Sequence, residues 1–212
     1  DTWFWSRQSG FESLLPNKYM GKYVKKVFSG SSNPSLAKSI ANEMGAQLGD
    51  ILISRFSDGE ILVKYEENLR GNDIYIVQST NSPAENIVEL ALMIDAAKRA
   101  SAERINVLIP YFGYSRQDRK VIPRVPISAK VMMDIFTKAG ADRIVTMDLH
   151  STQIQGFPKI PVDNIYGSLV MMPELSEHFK EKLKSDNCTL LSPDMGSSKL
   201  SQSYAKRLGM SF

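Results

Sequence analysis

Residues 143–157 read Arg143-Ile144-Val145-Thr146-Met147-Asp148-Leu149-His150-Ser151-Thr152-Gln153-Ile154-Gln155-Gly156-Phe157, and Pro161-Val162-Asp163 follows shortly after. The first five residues form an apolar run suited to a buried strand. Polar groups crowd in where that run ends. Open α/β sheets bind ligands just past the carboxyl ends of their strands. Two carboxylates, Asp148 and Asp163, together with the imidazole of His150, fit a hard cation and the phosphates it accompanies. Magnesium needs only one or two protein carboxylates when a nucleotide supplies other oxygens.

Outward from this segment the chain alternates between two periods. Val24 to Phe28 reads as a strand, and Ser29-Gly30-Ser31-Ser32-Asn33-Pro34 reads as a turn that also suits a helix cap. Leu36, Ile40, Met44 and Leu48 recur at helical spacing, whereas Ile61, Val63 and Tyr65 alternate as a strand does. Ile74 to Val77 is a second apolar strand, and a helix is expected from about Ala84 to Ala100 with Ile87, Leu90, Ala91, Ile94 and Ala97 on one face. The strand Ile105 to Ile109, a helix near Ser128 to Lys138 and the strand Ile144 to Met147 complete the series. Short apolar strands separated by amphipathic helices predict an α/β fold, a mostly parallel sheet covered by helices.

A second unit is expected from about Tyr166, with a helix from Leu169 to Leu183, a strand at Thr189 to Leu191 and a helix towards Leu208. The organisation predicted is a leader or extension over residues 1–22, an α/β domain over 23–165 and an incomplete second domain over 166–212. Met20-Gly21-Lys22 suits an original start. The leader carries acidic residues and no long apolar core, which argues against a secretory signal and leaves an organelle presequence as an open alternative.

Composition narrows the function. The formal charge of +3 argues against a nucleic-acid partner, and no basic run is interleaved with aromatics. No apolar stretch has the length of a membrane span. The single cysteine, Cys188, forms no internal disulfide, which points to a reducing, cytoplasmic setting.

Four loops carry the candidate chemistry. In Arg55-Phe56-Ser57-Asp58-Gly59-Glu60 the glycine allows a tight turn. Phe56 offers a face to a base, and Asp58 and Glu60 offer acceptors to a ribose or an adenine amine; the competing reading is a plain acidic turn. In Tyr111-Phe112-Gly113-Tyr114-Ser115-Arg116-Gln117-Asp118-Arg119-Lys120 the arginines match phosphate oxygens two at a time. Gln117 can both donate to and accept from a base edge; the competing reading is a solvated basic loop. The third loop is the one after Met147. The fourth, Ser192-Pro193-Asp194-Met195-Gly196, again follows an expected strand, with Asp194 as a cation ligand or as the cap of the next helix.

Taken in order, these pieces resemble the phosphoribosyl pyrophosphate synthetase (ribose-phosphate diphosphokinase) family. The resemblance rests on Phe28-Ser29-Gly30-Ser31, Phe56-Ser57-Asp58-Gly59-Glu60, Arg70-Gly71-Asn72-Asp73 leading to Ser79, Tyr114-Ser115-Arg116-Gln117-Asp118, Pro126-Ile127-Ser128-Ala129-Lys130, Met147-Asp148-Leu149-His150, Gln153 to Phe157, Ile160 to Asp163, and Ser192-Pro193-Asp194. It covers Val24 to Phe212. It implies phosphoribosyltransferase-like α/β domains assembling as dimers and then hexamers. The implied reaction moves the diphosphoryl group of ATP to the 1-hydroxyl of ribose 5-phosphate. By the same resemblance, Phe56, Asp58 and Glu60, with Gly59 shaping their turn, contact adenine from a neighbouring subunit. Arg116, Gln117 and Asp118 hold the nucleotide in the same chain. Asp148, His150, Asp163 and Asp194 are implied for Mg2+, and Arg70, Ser101 and Arg124 for a phosphate or ADP effector site between subunits.

The chain departs from the family pattern at Pro158, in place of an aromatic, and at Gly196-Ser197-Ser198-Lys199-Leu200, in place of a paired glycine followed by basic residues. The family's catalytic flexible loop and sugar-phosphate loop are expected beyond the equivalent of Phe212, so no catalytic residue is assigned. The alternative function is a truncated or inactive associated subunit with a regulatory or structural role.

Overall fold

The computed structural model describes residues 24–179 and 188–212; the leader and the end of the helix expected to reach Leu183 lie outside them. The first element, β1 (Lys25–Ser29), leads to α1 (Pro34–Glu43). That helix starts where Pro34 occupies its first turn and the Asn33 side chain accepts from Leu36 N at 3.2 Å, satisfying a donor the helix leaves open. A hairpin of β2 (Ile51–Arg55) and β3 (Ile61–Tyr65) follows. Then come β4 (Asp73–Val77), α2 (Glu85–Arg99), β5 (Arg104–Ile109), α3 (Ser128–Ala139), β6 (Arg143–Met147), a 3-10 turn over Thr152–Gly156 and β7 (Val162–Ile165).

The sheet order is β1-β4-β5-β6-β7, and every neighbouring pair is parallel. All five carboxyl ends therefore meet on one edge. The strands pair where side chains are apolar on both sides: every residue of β4 is buried, as are Ile105 to Ile109 of β5. One face carries the larger core, with Phe28, Ile74, Ile76, Ile105, Val107, Ile109 and Ile144 packed under Leu90, Met93, Ile94, Met133 and Phe136 of α2 and α3. The other carries a smaller cluster of Val27, Tyr75, Val77 and Leu108 under Ala37 and Ala41 of α1. A buried Leu- or Ile-sized side chain contributes about 1.5–3 kcal/mol, so the α2–α3 face dominates stability.

The hairpin is a separate antiparallel pair. Ile51, Ile53, Val63 and Tyr65 lay one side of it on the larger core, and Tyr65 Oη donates to Met93 O at 2.9 Å. Strands β2 and β7 lie beyond the pattern-based expectation. β7 has two polar residues in four at the edge of the sheet, so its sequence shows no apolar run.

Contacts divide the chain into two compact units, one ending at Ile165 and one running Tyr166–Phe212. The second contains α4 (Ser168–His178) and α5 (Ser198–Leu208). The strand expected at Thr189 to Leu191 is present only as one parallel bridge between Thr189 and Ser211, closed by Leu190 N donating to Ser211 O at 2.9 Å. Among the described residues no helix is long and apolar enough to cross a membrane.

Candidate active site on the carboxyl edge of the sheet

Four loops leave the carboxyl ends of β1, β4, β5 and β6, and each is tied to the next. The loop after β1 docks on the end of β4. Ser31 N and Ser31 Oγ both donate to the Glu89 carboxylate of α2, each at 2.7 Å. Ser32 N donates to Gln78 Oε1 at 3.0 Å, and Gln78 Nε2 donates to Glu89 Oε1 at 2.8 Å. Gln78 and Glu89 are both buried. A side chain at Gly30 would place its Cβ 2.2 Å from Gln78 Oε1, so only glycine permits this approach.

The end of β4 is joined in turn to the loop after β5. Thr80 N donates to Tyr111 O at 2.9 Å, and Gly113 N donates to Thr80 Oγ1 at 2.8 Å. At Gly113 a Cβ would lie 2.1 Å from the Thr80 carbonyl oxygen, a backbone atom with little room to move. Downstream, Arg116 and Gln117 are exposed. Gln117 also starts α3: its carbonyl accepts from Ala129 N at 3.2 Å, and its side-chain Oε1 accepts from the Ser128 hydroxyl. That leaves its amide N–H groups as the end offered to a base edge.

The loops after β5 and β6 meet at Asp118, whose Oδ2 accepts from Gln153 Nε2 at 2.7 Å. The Asp118 carboxyl is held below the usual carboxylate range. The facing Ser151 hydroxyl is the main cause, and the charge of Arg119 adds to it. Ser151 Oγ is buried and completes no hydrogen bond of full geometry, so its influence on Asp118 is that of a nearby dipole. Arg116, Gln117 and His150 thus stand on two linked neighbouring loops. Asp148 turns the chain just past β6 in a left-handed conformation, φ 46°, and its N–H donates to Ile165 O at 2.9 Å. Aspartate tolerates this region better than bulkier residues, yet such backbone still costs about 1–3 kcal/mol and concentrates at functional sites.

Known proteins share this sequence and fold. The family model described as the N-terminal domain of ribose phosphate pyrophosphokinase matches residues 25–140, more than half of the chain. The chain belongs to the ribose-phosphate pyrophosphokinase family. The ribose-phosphate pyrophosphokinase of Chlorobaculum tepidum is 53% identical over 184 residues, covering 87% of this chain and 56% of that protein. Its counterpart in Porphyromonas gingivalis is 50% identical over 184 residues, covering 87% of this chain and 58% of that protein. The crystal structure of phosphoribosylpyrophosphate synthetase from Mycobacterium smegmatis superposes with a TM-score of 0.82 at 36% identity, over 89% of this chain and 62% of that one. The chain therefore spans somewhat over half the length of these curated pyrophosphokinase relatives.

Not every candidate residue of this pyrophosphokinase-family chain reaches the carboxyl edge. Asp163 lies within β7, opposite Val145, and its Oδ2 accepts from Arg143 Nη1 at the start of β6. Its partner Val145 stands three residues before Asp148, so Asp163 sits about 10 Å down the sheet from Asp148, at roughly 3.3 Å per residue. Among the described residues no three acidic, histidine or cysteine side chains gather closely enough to cage a metal. Asp148 and His150 alone suit a magnesium ion delivered on a triphosphate, which brings most of its own oxygens. Asp163 does not join them.

Asp194, in the second unit, uses Oδ1 to accept from Ser197 N at 2.7 Å and Ser197 Oγ at 2.8 Å, just ahead of α5. Those bonds, the Ser197 hydroxyl first, lower its pKa. These bonds close the turn that leads into the helix, whose own N-cap is Ser197.

The turn bearing Phe56, Asp58, Gly59 and Glu60 is the tip of the β2–β3 hairpin. It is held by its own bonds: Phe56 N to Glu60 O at 2.9 Å, Glu60 N to Asp58 Oδ1 at 3.1 Å, and Arg55 Nη1 to Gly59 O at 2.7 Å. Gly59 adopts φ 93°, a conformation that favours glycine, and Phe56 is 53% exposed. Arg70 and Ser101 come together on the opposite, amino edge of the sheet, where Gly71 N donates to Ser101 O at 3.0 Å. Arg124, at φ 65°, lies in the loop before α3 on the carboxyl side.

Gln78, Glu89 and Gln153, which tie the loops together, had no role assigned by sequence reasoning. One signal was available. Glu89 stands four residues before the buried Met93 and eight before the buried Ala97, an acid on the apolar stripe of α2.

Proposed function

We propose that the first unit forms the nucleotide-binding part of an enzyme that transfers the diphosphoryl group of ATP to the 1-hydroxyl of ribose 5-phosphate. The products are 5-phosphoribosyl 1-pyrophosphate and AMP. The observation that carries this reading is the Asp118–Gln153 hydrogen bond, which sets the Arg116 loop beside the His150 loop on one edge of the sheet. Family membership and the printed names of the relatives support it.

In the proposed reaction the 1-hydroxyl oxygen bonds to the β-phosphorus of ATP. The bond from that phosphorus to the α–β bridging oxygen breaks, AMP leaves with that electron pair, and the hydroxyl proton passes to solvent or a base. Such transfers depend on alignment and charge stabilisation more than on covalent chemistry. Arg116 would grip phosphate oxygens in its planar fork and Gln117 would direct amide N–H groups to the base. Asp148 and His150 would steady the hydrated cation on the triphosphate. A bound magnesium ion would neutralise charge developing on the phosphate oxygens. The hairpin tip with Phe56, Asp58 and Glu60 would serve the adenine of an adjoining subunit in a dimer or larger assembly, and phosphate or ADP would act as effectors through Arg70, Ser101 and Arg124.

The test is to incubate the full natural protein carrying this sequence with ATP, Mg2+ and ribose 5-phosphate and to follow AMP and phosphoribosyl pyrophosphate together. Equimolar release of both is expected. A folded protein that binds ATP yet releases no AMP above background overturns the reading in favour of a nucleotide-binding associated subunit.

A further inference from the structure

The loop after β1, Ser29-Gly30-Ser31-Ser32-Asn33, has the composition of a phosphate cradle: small residues, a glycine and the start of a helix. Its donors are already taken. Ser31 N and Ser31 Oγ are held by the Glu89 carboxylate and Ser32 N by Gln78 Oε1, while Ser32 Oγ accepts from Ser79 N at 2.8 Å. An acid belonging to the fold fills the place an external anion would take.

We infer that Glu89 is a positioning residue, an internal hydrogen-bond acceptor that fixes the end of β4 and thereby the placement of the Arg116 loop. The path is continuous and short. Glu89 receives Gln78 Nε2, and the Gln78 backbone N–H donates to Leu108 O at 3.0 Å, locking the end of β4 to β5. Two residues on, Thr80 ties the next loop: its N–H and hydroxyl donate to Tyr111 O, and its hydroxyl oxygen accepts from Gly113 N. Arg116 lies three residues beyond Gly113. The two closest backbone approaches, at Gly30 and Gly113, fall on this path, so a displacement at Glu89 has no slack to absorb it. Side chains and backbone are packed too densely here for a local shift to dissipate.

The chemistry separates hydrogen bonding from charge. A glutamine at position 89 keeps an oxygen for Ser31 N and Gln78 Nε2, and its amide can donate to Ser31 Oγ, which can accept. Alanine leaves those donors buried without acceptors. If Glu89 acts by holding geometry, Glu89→Gln behaves nearly as the natural protein and Glu89→Ala does not.

The activity arm of the test rests on the diphosphoryl-transfer reading above; the second arm does not. In the first, kcat/KM for ATP falls about a hundredfold in Glu89→Ala, the size expected for misplacing a binding group by about 1 Å, with most of the loss in KM. Glu89→Gln recovers it to within about threefold of the natural protein. In the second, hydrogen exchange at the Gly113 amide accelerates at least tenfold in Glu89→Ala and not in Glu89→Gln. If Glu89→Ala does not fold, Gln78→Leu carries both arms, since it cuts the bond that joins Glu89 to the end of β4 while Ser31 stays bound to the acid. Unchanged exchange at Gly113 in a folded Glu89→Ala protein overturns the inference. Faster exchange in a protein that releases no AMP leaves the positioning role standing and removes the reaction instead.

Discussion

Arg143 and Asp163 form an ion pair across neighbouring parallel strands, with both side chains about a quarter exposed, on the part of the sheet away from Asp148. The second carboxylate of the segment 143–163 is therefore engaged in holding β7 to β6. Asp163→Asn is expected to lower stability by about 1–2 kcal/mol, the scale of a charged hydrogen bond that is not fully exposed. It should leave the Mg2+ concentration giving half-maximal activity unchanged, whereas Asp148→Asn should raise that concentration at least several-fold. Denaturant unfolding and magnesium titration of the two variants read the difference. A raised magnesium requirement in Asp163→Asn alone would count against this assignment.

Gly113 is the narrowest point of the path between β4 and the Arg116 loop. Gly113→Ala forces a methyl to within 2.1 Å of a backbone oxygen. The expected cost is about 1–3 kcal/mol, the usual penalty for overpacking. The shift in denaturant midpoint, with an unchanged slope, measures it. Gly59→Ala is a useful contrast, because nothing stands within 4 Å of its added carbon and only its positive φ opposes the change.

Asp73, at the start of β4, is buried, and its Oδ1 has no hydrogen-bond partner. Burial raises its pKa above the ordinary value, and the Arg104 charge opposes that only partly. The folded state thus favours the protonated acid. The corresponding stability is fully present below the unfolded-state pKa and is lost as pH rises through the folded one. Asp73→Asn is accordingly expected to raise stability near neutral pH by about 1 kcal/mol. That advantage should vanish on acidification below the usual carboxylate range, as thermal melts at several pH values will record.

Phe56 makes little contribution to the core, being half exposed at a hairpin tip held by backbone bonds. Phe56→Ala should change unfolding free energy by less than about 0.5 kcal/mol. Loss of a stacking face should weaken ATP binding by about 1 kcal/mol or more if a neighbouring copy presents that tip to adenine. Calorimetric titration at high and low protein concentration separates a contribution from another copy from one within the chain.

The parallel sheet was legible because β4, β5 and β6 are largely apolar runs, as strands buried on both faces must be. β7 was not, since an edge strand has fewer neighbours to satisfy and can carry Asp163 and Asn164. The Arg116 and His150 loops could be nominated from sequence because each follows a strand directly. Their contact through Asp118 and Gln153 could not, because it depends on β5 and β6 being neighbours. The place of Asp163 was hidden for a related reason: closeness in sequence to His150 says nothing about how far down a returning strand a side chain lies. Glu89 was hidden among apolar neighbours, and only its place on the buried stripe of α2 hinted at an internal partner.

The positions of Arg70, Ser101 and Arg124 carry one last consequence. The first two share the amino edge and the third lies beyond the carboxyl edge, separated by the length of a five-residue strand, about 16 Å. Within one copy of the chain, the backbone sets Arg124 apart from Arg70 and Ser101. Any sensitivity to phosphate that uses all of them must be a collective property, present when copies meet and fading on dilution, so the control would respond to how much of the protein there is as well as to how much effector surrounds it.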